Sequence, residues 1–269
     1  MSSTPILILS PRFTSDSAIL RNAALLAGWD TERLHIWRLP DRLYDRELVL
    51  YGEPLFAEVI AGQCSLALME TPFDWPARLP EQYRKRWITY STLAEARNIS
   101  EPTFVKPVDG KSFAATVYTS NAQLPAPDAL PDDTPVLLAE PVSWELEFRC
   151  FILERQVTTI SPYLRRGELA LSDDGLWEAT DEETDAALAF ANRVLADPQV
   201  KLPPAIVMDV GRIQGRGWAV VECNAAWGSG LYGCNPLKVL PVLQRACCKH
   251  ERLPSSEARW VLDKGVLVL

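Results

Sequence analysis

Short, continuous apolar runs alternate with helical stretches at the start of the chain. Pro5-Ile6-Leu7-Ile8-Leu9 predicts a buried strand, and Ser10-Pro11-Arg12-Phe13 a loop after it. Ser15 to Ala27 predicts a helix closed by Gly28 at the position after its C-cap. Leu34-His35-Ile36-Trp37 predicts a second strand. Pro54 to Ala61 predicts a short helix, with proline in its first turn and Gly62 behind it. Ser65 to Met69 predicts a third strand. The resulting β-α-β-α-β order predicts a small parallel α/β unit over residues 1–85.

The pattern changes after the Pro- and Trp-rich stretch Phe73 to Pro80. A helix is predicted around Thr92-Leu93-Ala94-Glu95-Ala96-Arg97 and a strand at Phe104-Val105-Lys106-Pro107. Residues 121–135 contain four prolines and predict no long element. Strands follow at Val136 to Val142, Glu147 to Leu153 and Val157 to Pro162. Thr180-Asp181-Glu182-Glu183 is a capping box that opens a helix to about Leu195. Two further strands are predicted at residues 205–210 and 218–223, then a helix from Leu237 to Cys248 kinked at Pro241.

Composition narrows the function. With 269 residues, 48% hydrophobic and 23% charged, the chain can build one large core or two to three small ones. A net charge of -8 excludes a polycationic surface for nucleic acid or an acidic membrane. Arg84-Lys85-Arg86 is too short to alter that and reads as solvated helix face. The six cysteines form no Cys-x-x-Cys pair and several lie in apolar segments, so reduced, buried thiols and a cytoplasmic location are expected. The start of the chain shows no secretion signal, and no apolar run reaches the ~18 residues of a membrane span. With two histidines, His35 and His250, a Ser-His-acid triad or a histidine zinc site would have to use one of them.

The strongest chemical signal lies late in the chain. Asp209 ends the apolar run Val207-Met208, and Glu222-Cys223-Asn224 follows Val220-Val221. Glu222 and Asn224, two apart on a strand, share a face. Three oxygen donors at the edge of an apolar sheet suit Mg²⁺, which in proteins usually shares its sphere with substrate phosphates. The same residues also suit the polar ends of a hairpin.

Taken in order, Lys106, Lys111, Glu140-Pro141-Val142, Glu147-Phe148-Arg149, Asp209 and Glu222-x-Asn224 resemble the ATP-grasp superfamily of carboxylate–amine ligases, in particular a RimK-related clade of small amide ligases. The resemblance covers roughly residues 85–240. It implies an α/β (α+β) ATP-grasp fold with an N-terminal α/β unit at 1–85, a small lid at 86–138 and a C-terminal metal-bearing sheet at 139–269. It implies an ADP-forming enzyme that joins a small carboxylate to an amine through an acyl phosphate, with ATP and two Mg²⁺ ions, Mn²⁺ being a substitute. Amino acids, a peptide or a protein are candidate substrates. A kinase on the same fold and a non-catalytic nucleotide-binding module are the alternatives.

The resemblance also assigns residues. Asp209, Glu222 and Asn224 match the metal ligands. Lys106 matches a lysine on the α- and β-phosphates, and Lys111 and Ser112 lie in the phosphate-covering loop, where a single glycine, Gly110, limits backbone cradling. Glu140, Pro141 and Val142 match the segment that meets adenine, and Glu145 or Glu147 is expected at the ribose. Arg149 matches the arginine on the γ-phosphate, with a structural pair to Glu147 as the alternative. Arg165 and Arg166 are candidate carboxylate binders or the basic ends of a hairpin turn. Trp227, Gly228 and Ser229 lie in a loop expected near the carboxylate, and Arg12, after the first strand, is a further candidate contact.

Overall fold

The computed structural model describes residues 4–108 and 112–261. Its N-terminal elements are β1 (Ile6–Leu9), α1 (Ser15–Leu26), β2 (Asp30–Arg33), β3 (Leu48–Tyr51), α2 (Pro54–Gln63) and β4 (Leu66–Leu68). β1, β2 and β3 form a parallel sheet in the order β2-β1-β3. The second strand is therefore residues 30–33, not 34–37. Leu34 is buried, but Ile36 and Trp37 are exposed. β2 is a polar edge strand held by its ladder to β1 and by Arg33, which donates to the Ser10 carbonyl at 2.7 Å and to Ser17 Oγ at 2.8 Å. The third parallel strand is the wholly buried run 48–51, not the run 65–69. α1 begins at a capping box, Thr14 with Ser17, and ends before Gly28 at φ 76°.

A short α3 (Trp75–Arg78) and α4 (Glu81–Arg84) lead into the middle unit: β5 (Ile88–Thr92), α5 (Leu93–Ala96), β6 (Thr103–Pro107), β7 (Thr116–Tyr118) and β8 (Pro135–Ala139). Its four strands lie in the order β5-β8-β6-β7, all neighbours antiparallel. They enclose a small core of Leu93, Ala96, Val105, Tyr118, Leu124 and Val136. β8 ends at Ala139, so Glu140 to Val142 are irregular backbone rather than the end of a strand.

The largest sheet follows, from β9 (Trp144–Leu153), β10 (Gln156–Arg165), β11 (Glu168–Leu169), β12 (Ala205–Ile213) and β13 (Gly217–Asn224), in the order β11-β10-β9-β12-β13. α6 (Asp181–Ala196) covers one face, burying Phe190, Ala191, Val194 and Leu195 against Phe148, Cys150, Met208 and Val210. Alternation sends Arg149, Phe151, Val207 and Asp209 to the other face. There α7 (Pro236–Ala246) packs on β9, β10 and β12 from one side and on α1 and β3 from the other, so one core joins the large sheet to the parallel sheet. α7 ends at Ala246, short of the predicted Cys248. Residues 247–249 form β14 (Cys247–Lys249), which pairs antiparallel with β4. Among the described residues no helix is long and apolar enough to cross a membrane. The six cysteines are free thiols, with Cys64, Cys150, Cys234 and Cys247 buried.

Candidate active site

Strand register builds the site. Arg149 on β9 lies opposite Asp209 on β12, and Asp209 lies opposite Glu222 on β13. One row across three strands thus carries a cation and two acids on the same face, with Asn224 two residues beyond Glu222. The row borders a cleft of about 970 Å³ between the large sheet and the middle sheet. Ile88, Phe104, Leu137 and Ala139 line it on the middle-sheet side, and Pro54, Leu55 and Phe73 line one end.

Asp209 is completely buried and is gripped by Arg149, whose Nε and Nη2 donate to its two oxygens at 3.0 and 2.7 Å. Arg149 Nη1 donates to the Gly230 carbonyl at 3.0 Å. The guanidinium also lies 5.2 Å from the Tyr163 ring centre and 4.7 Å from that of Tyr232. Burial disfavours the charged guanidinium, but Asp209 outweighs that and holds its pKa above the ordinary value. Burial raises the Asp209 carboxyl, against the pull of Arg149. Removing one member of such a pair would strand a buried charge.

Glu222 is partnered on both oxygens. Lys106 Nζ, reaching across from β6, donates to Oε2 at 2.5 Å, and Asn224 Nδ2 donates to Oε1 at 2.8 Å. Burial works to raise the Glu222 carboxyl, and Lys106 with Asn224 and Arg149 overcomes it, so the pKa falls below the usual carboxylate range. Glu147, two residues before Arg149 on the same face of β9, is 6% exposed and accepts from the Tyr163 hydroxyl at 2.9 Å. Burial is the main reason its carboxyl is pushed up to about 7, with Asp209 and Glu222 adding to the rise.

The structure therefore brings Lys106, Glu147, Arg149, Asp209, Glu222 and Asn224 together. Trp227, Gly228 and Ser229 also line the cleft, on a 3₁₀ turn fixed by the Trp227 indole N–H on the Met69 carbonyl at 3.1 Å. Glu140 and Val142 are in the lining, and Pro141 beside them is half-buried. Glu140 is held by Arg216 from the β12–β13 turn through two bonds of 2.6 and 2.9 Å, which lower its pKa. Its carboxylate thus has an arginine partner, where the sequence pattern offered adenine.

Other candidates lie elsewhere. Glu145 pairs with Arg212 at 2.6 Å and does not line the cleft, which leaves Glu147 as the acid of that strand facing it. Arg165 is bound by Glu183 at the start of α6, at 2.8 and 3.1 Å. Arg166 takes a left-handed turn at φ 54°, so this pair forms the basic end of a hairpin rather than a cleft wall. Arg12 is exposed and 3.8 Å from Glu53, outside the lining. Ser112 is exposed. Lys111 lies outside the described residues.

Sequence reasoning missed two contributors. Arg86 was expected on a solvated helix face; it lies beyond the end of α4, stacked 4.9 Å from the Trp144 ring centre, and lines the cleft. Burial is the largest cause lowering its pKa to about 10. Tyr232 covers Arg149 from a loop tied back by Asp16, which accepts from the Leu231 N–H at 2.9 Å. The run of glycines around it was the available signal.

A model of the ATP-grasp domain, for the second family of its clade, matches residues 83–242. The chain belongs to the ATP-grasp family. The match takes in the row, Lys106, Arg86 and every strand of the large sheet. Among solved structures, D-alanine--D-alanine ligase from Bacillus anthracis superposes with a TM-score of 0.55 at 12% identity, over 90% of this chain and 96% of that one. The same enzyme complexed with ATP gives 0.51 at 13% identity, over 91% and 97%. D-Cycloserine synthetase DcsG gives 0.50 at 16% identity, over 89% and 98%. These likenesses establish a shared ATP-grasp fold. No curated protein sequence matches the chain.

Proposed function

We propose that this ATP-grasp protein is an ATP-dependent carboxylate–amine ligase that forms an amide or peptide bond through an acyl phosphate and releases ADP and phosphate. The division would be an N-terminal unit at 1–85, a lid at 86–138 and a metal-bearing unit at 139–269, with nucleotide in the cleft between the last two. The observation that carries the reading is the Arg149–Asp209–Glu222 row, with Asn224 beside it and Lys106 facing it across the cleft. The fold shared with D-alanine--D-alanine ligase supplies a scaffold on which such chemistry runs, and the row supplies the site.

The donor set fits a hard divalent cation. Asp209, Glu222 and Asn224 supply oxygens, and the two acids are at present neutralised by Arg149 and Lys106. Mg²⁺ bound there would bridge phosphate oxygens and draw off the charge that develops on phosphoryl transfer. Among the described residues no three His, Cys, Asp or Glu side chains cluster as a metal cage, in keeping with a site completed by an amide and by phosphates.

The chain's own groups then divide the work. A substrate carboxylate oxygen attacks the γ-phosphorus as the bond to the β-phosphate bridging oxygen breaks, and ADP leaves. An amine next attacks the acyl carbon, the C–O bond to phosphate breaks, and the amine proton is lost. Lys106 supplies a mobile point charge at the phosphates. Arg149 uses three of its five guanidinium N–H groups on Asp209 and Gly230, so the others can meet a phosphate oxygen without loss of its anchoring. The ligase of shared fold is named for D-alanine, which makes amino acids the first class to try.

Glu222→Gln tests the reading cleanly, because the amide keeps the shape and leaves Asp209 paired. ATP turnover is expected to fall at least ~100-fold with an unchanged melting temperature, the scale expected when a group neutralising the transferring phosphoryl is lost; unchanged turnover would overturn the proposal. Asp209→Asn is the less clean variant, since it leaves the Arg149 charge buried without a counter-charge.

A further inference from the structure

The row depends on an irregularity in β13. Val210 lies opposite Val220, yet Asp209 lies opposite Glu222, so Val221 is an extra residue in the edge strand. This is a β-bulge, and bulges re-aim side chains. In an unbroken ladder Val221 would stand opposite Asp209, and Glu222 would stand opposite Met208. Met208 faces the core under α6, so Glu222 would then point away from the cleft. The bulge is what puts both acids on one face.

Arg86 grips that bulge. Its Nη1 donates to the Val220 carbonyl at 2.9 Å, and its Nη2 donates to the Val221 carbonyl at 3.0 Å. Because β13 is at the sheet edge, these carbonyls face no further strand among the described residues. The guanidinium is itself fixed: Nη1 also donates to the Arg84 carbonyl at 3.0 Å, and the group stacks on Trp144. Trp144 in turn lies on Gly211, where an added Cβ would come within 2.7 Å of the ring. Next to Arg86, Lys85 Nζ donates to the Arg216 carbonyl at 2.6 Å, docking the same segment on the β12–β13 turn away from the bulge. Arg86 lies two residues before β5, the first strand of the middle sheet.

We propose that Arg86 is a positioning residue that locks the Val221 bulge and so holds Glu222 and Asn224 on the metal-facing side of β13, coupling the entry to the lid with the metal ligands. The inference rests on the proposed function in taking Glu222 and Asn224 as metal ligands. Its local claim, that Arg86 holds the bulge, stands apart from that reading and is read separately.

Full-length wild type, Arg86→Ala, Arg86→Lys, Lys85→Ala and Glu222→Gln are compared by two measurements. Amide hydrogen exchange follows the peptide spanning 217–224. Electron paramagnetic resonance follows Mn²⁺ binding in the presence of ADP, against a protein-free Mn²⁺–ADP blank. Arg86→Ala is expected to speed exchange in that peptide at least about tenfold and to weaken Mn²⁺ binding at least about tenfold, on the scale of lost groups that orient metal ligands, with a melting temperature within a few degrees of wild type. Lysine, which can reach one carbonyl, is expected to restore part of both, and Lys85→Ala to stay within about twofold of wild type. Exchange and Mn²⁺ binding within about twofold of wild type in Arg86→Ala would overturn the inference. If Arg86→Ala does not fold, Arg86→Lys decides by the same criteria. If Glu222→Gln binds Mn²⁺ like wild type, the metal-ligand reading fails, and the exchange data alone then decide whether Arg86 holds the bulge.

Discussion

Glu147 sits in a position that few carboxylates occupy: walled off from water, bonded by the Tyr163 hydroxyl, and in the field of two other acids. Its pKa is raised from 4.5 to about 7, so folding favours its protonated form. The stability it contributes is full below the unfolded pKa and is lost as pH rises through the folded one. The loss is worth about 3 kcal/mol between roughly pH 4.5 and 7. Glu147→Gln keeps an acceptor for Tyr163 and has no proton to lose. Urea unfolding at pH 5 and pH 8 is expected to show wild type losing stability relative to this variant; parallel values at both pH would contradict the assignment. The acid and amide pattern around it was legible from sequence, because Glu222 and Asn224 must share a strand face. That Asp209 joins them was not, because it depends on a bulge, and no residue pattern marks one. Arg86 stayed hidden for a related reason: its value comes from β13 being an edge, which is a property of the assembled sheet.

Among elements, α6 was the most legible. Thr180 Oγ accepts from the Glu183 N–H and Glu183 accepts from the Thr180 N–H, both at 3.1 Å, and the apolar stripe beneath has helical period. Arg165 adds a bond from β10 to the same Glu183. Thr180→Ala is expected to cost about 1 kcal/mol, seen as a lower urea midpoint with an unchanged slope; no change would mean that Arg165 and packing alone fix the helix start. Long strands such as β9, β10 and β12 also read correctly, since each carries an extended apolar run into the middle of the sheet. Short strands did not. β2 is Asp-Thr-Glu-Arg, held by ladder bonds and by Arg33, so it carries no apolar signature. The more hydrophobic residues 34–37 after it drew the assignment to the wrong place. The apolar run 65–69 contains a strand, but its partner β14 comes nearly two hundred residues later.

At the scale of the molecule, the sequence pattern supports a parallel unit followed by antiparallel sheets, and the structure joins them in a way the pattern does not announce. α7, late in the chain, fills the space between the first sheet and the last. Its apolar face thereby ties the 3₁₀ turn at Ala226–Gly228, which lines the cleft, to the N-terminal core. The cleft itself is bridged across its width by the ion pair of Lys106 with Glu222, between the middle and large sheets. Within the proposed function, nucleotide and metal ions would take over both partners, so the pair marks where opposite walls must part or exchange contacts. The direct measurement is mass spectrometry of the purified protein incubated with Mg²⁺, ATP and pooled amino acids and small carboxylates. The account expects ADP together with a new mass equal to two pool members less one water, both absent in Glu222→Gln. ADP with a phosphorylated pool member and no condensed product, or AMP in place of ADP, would contradict it.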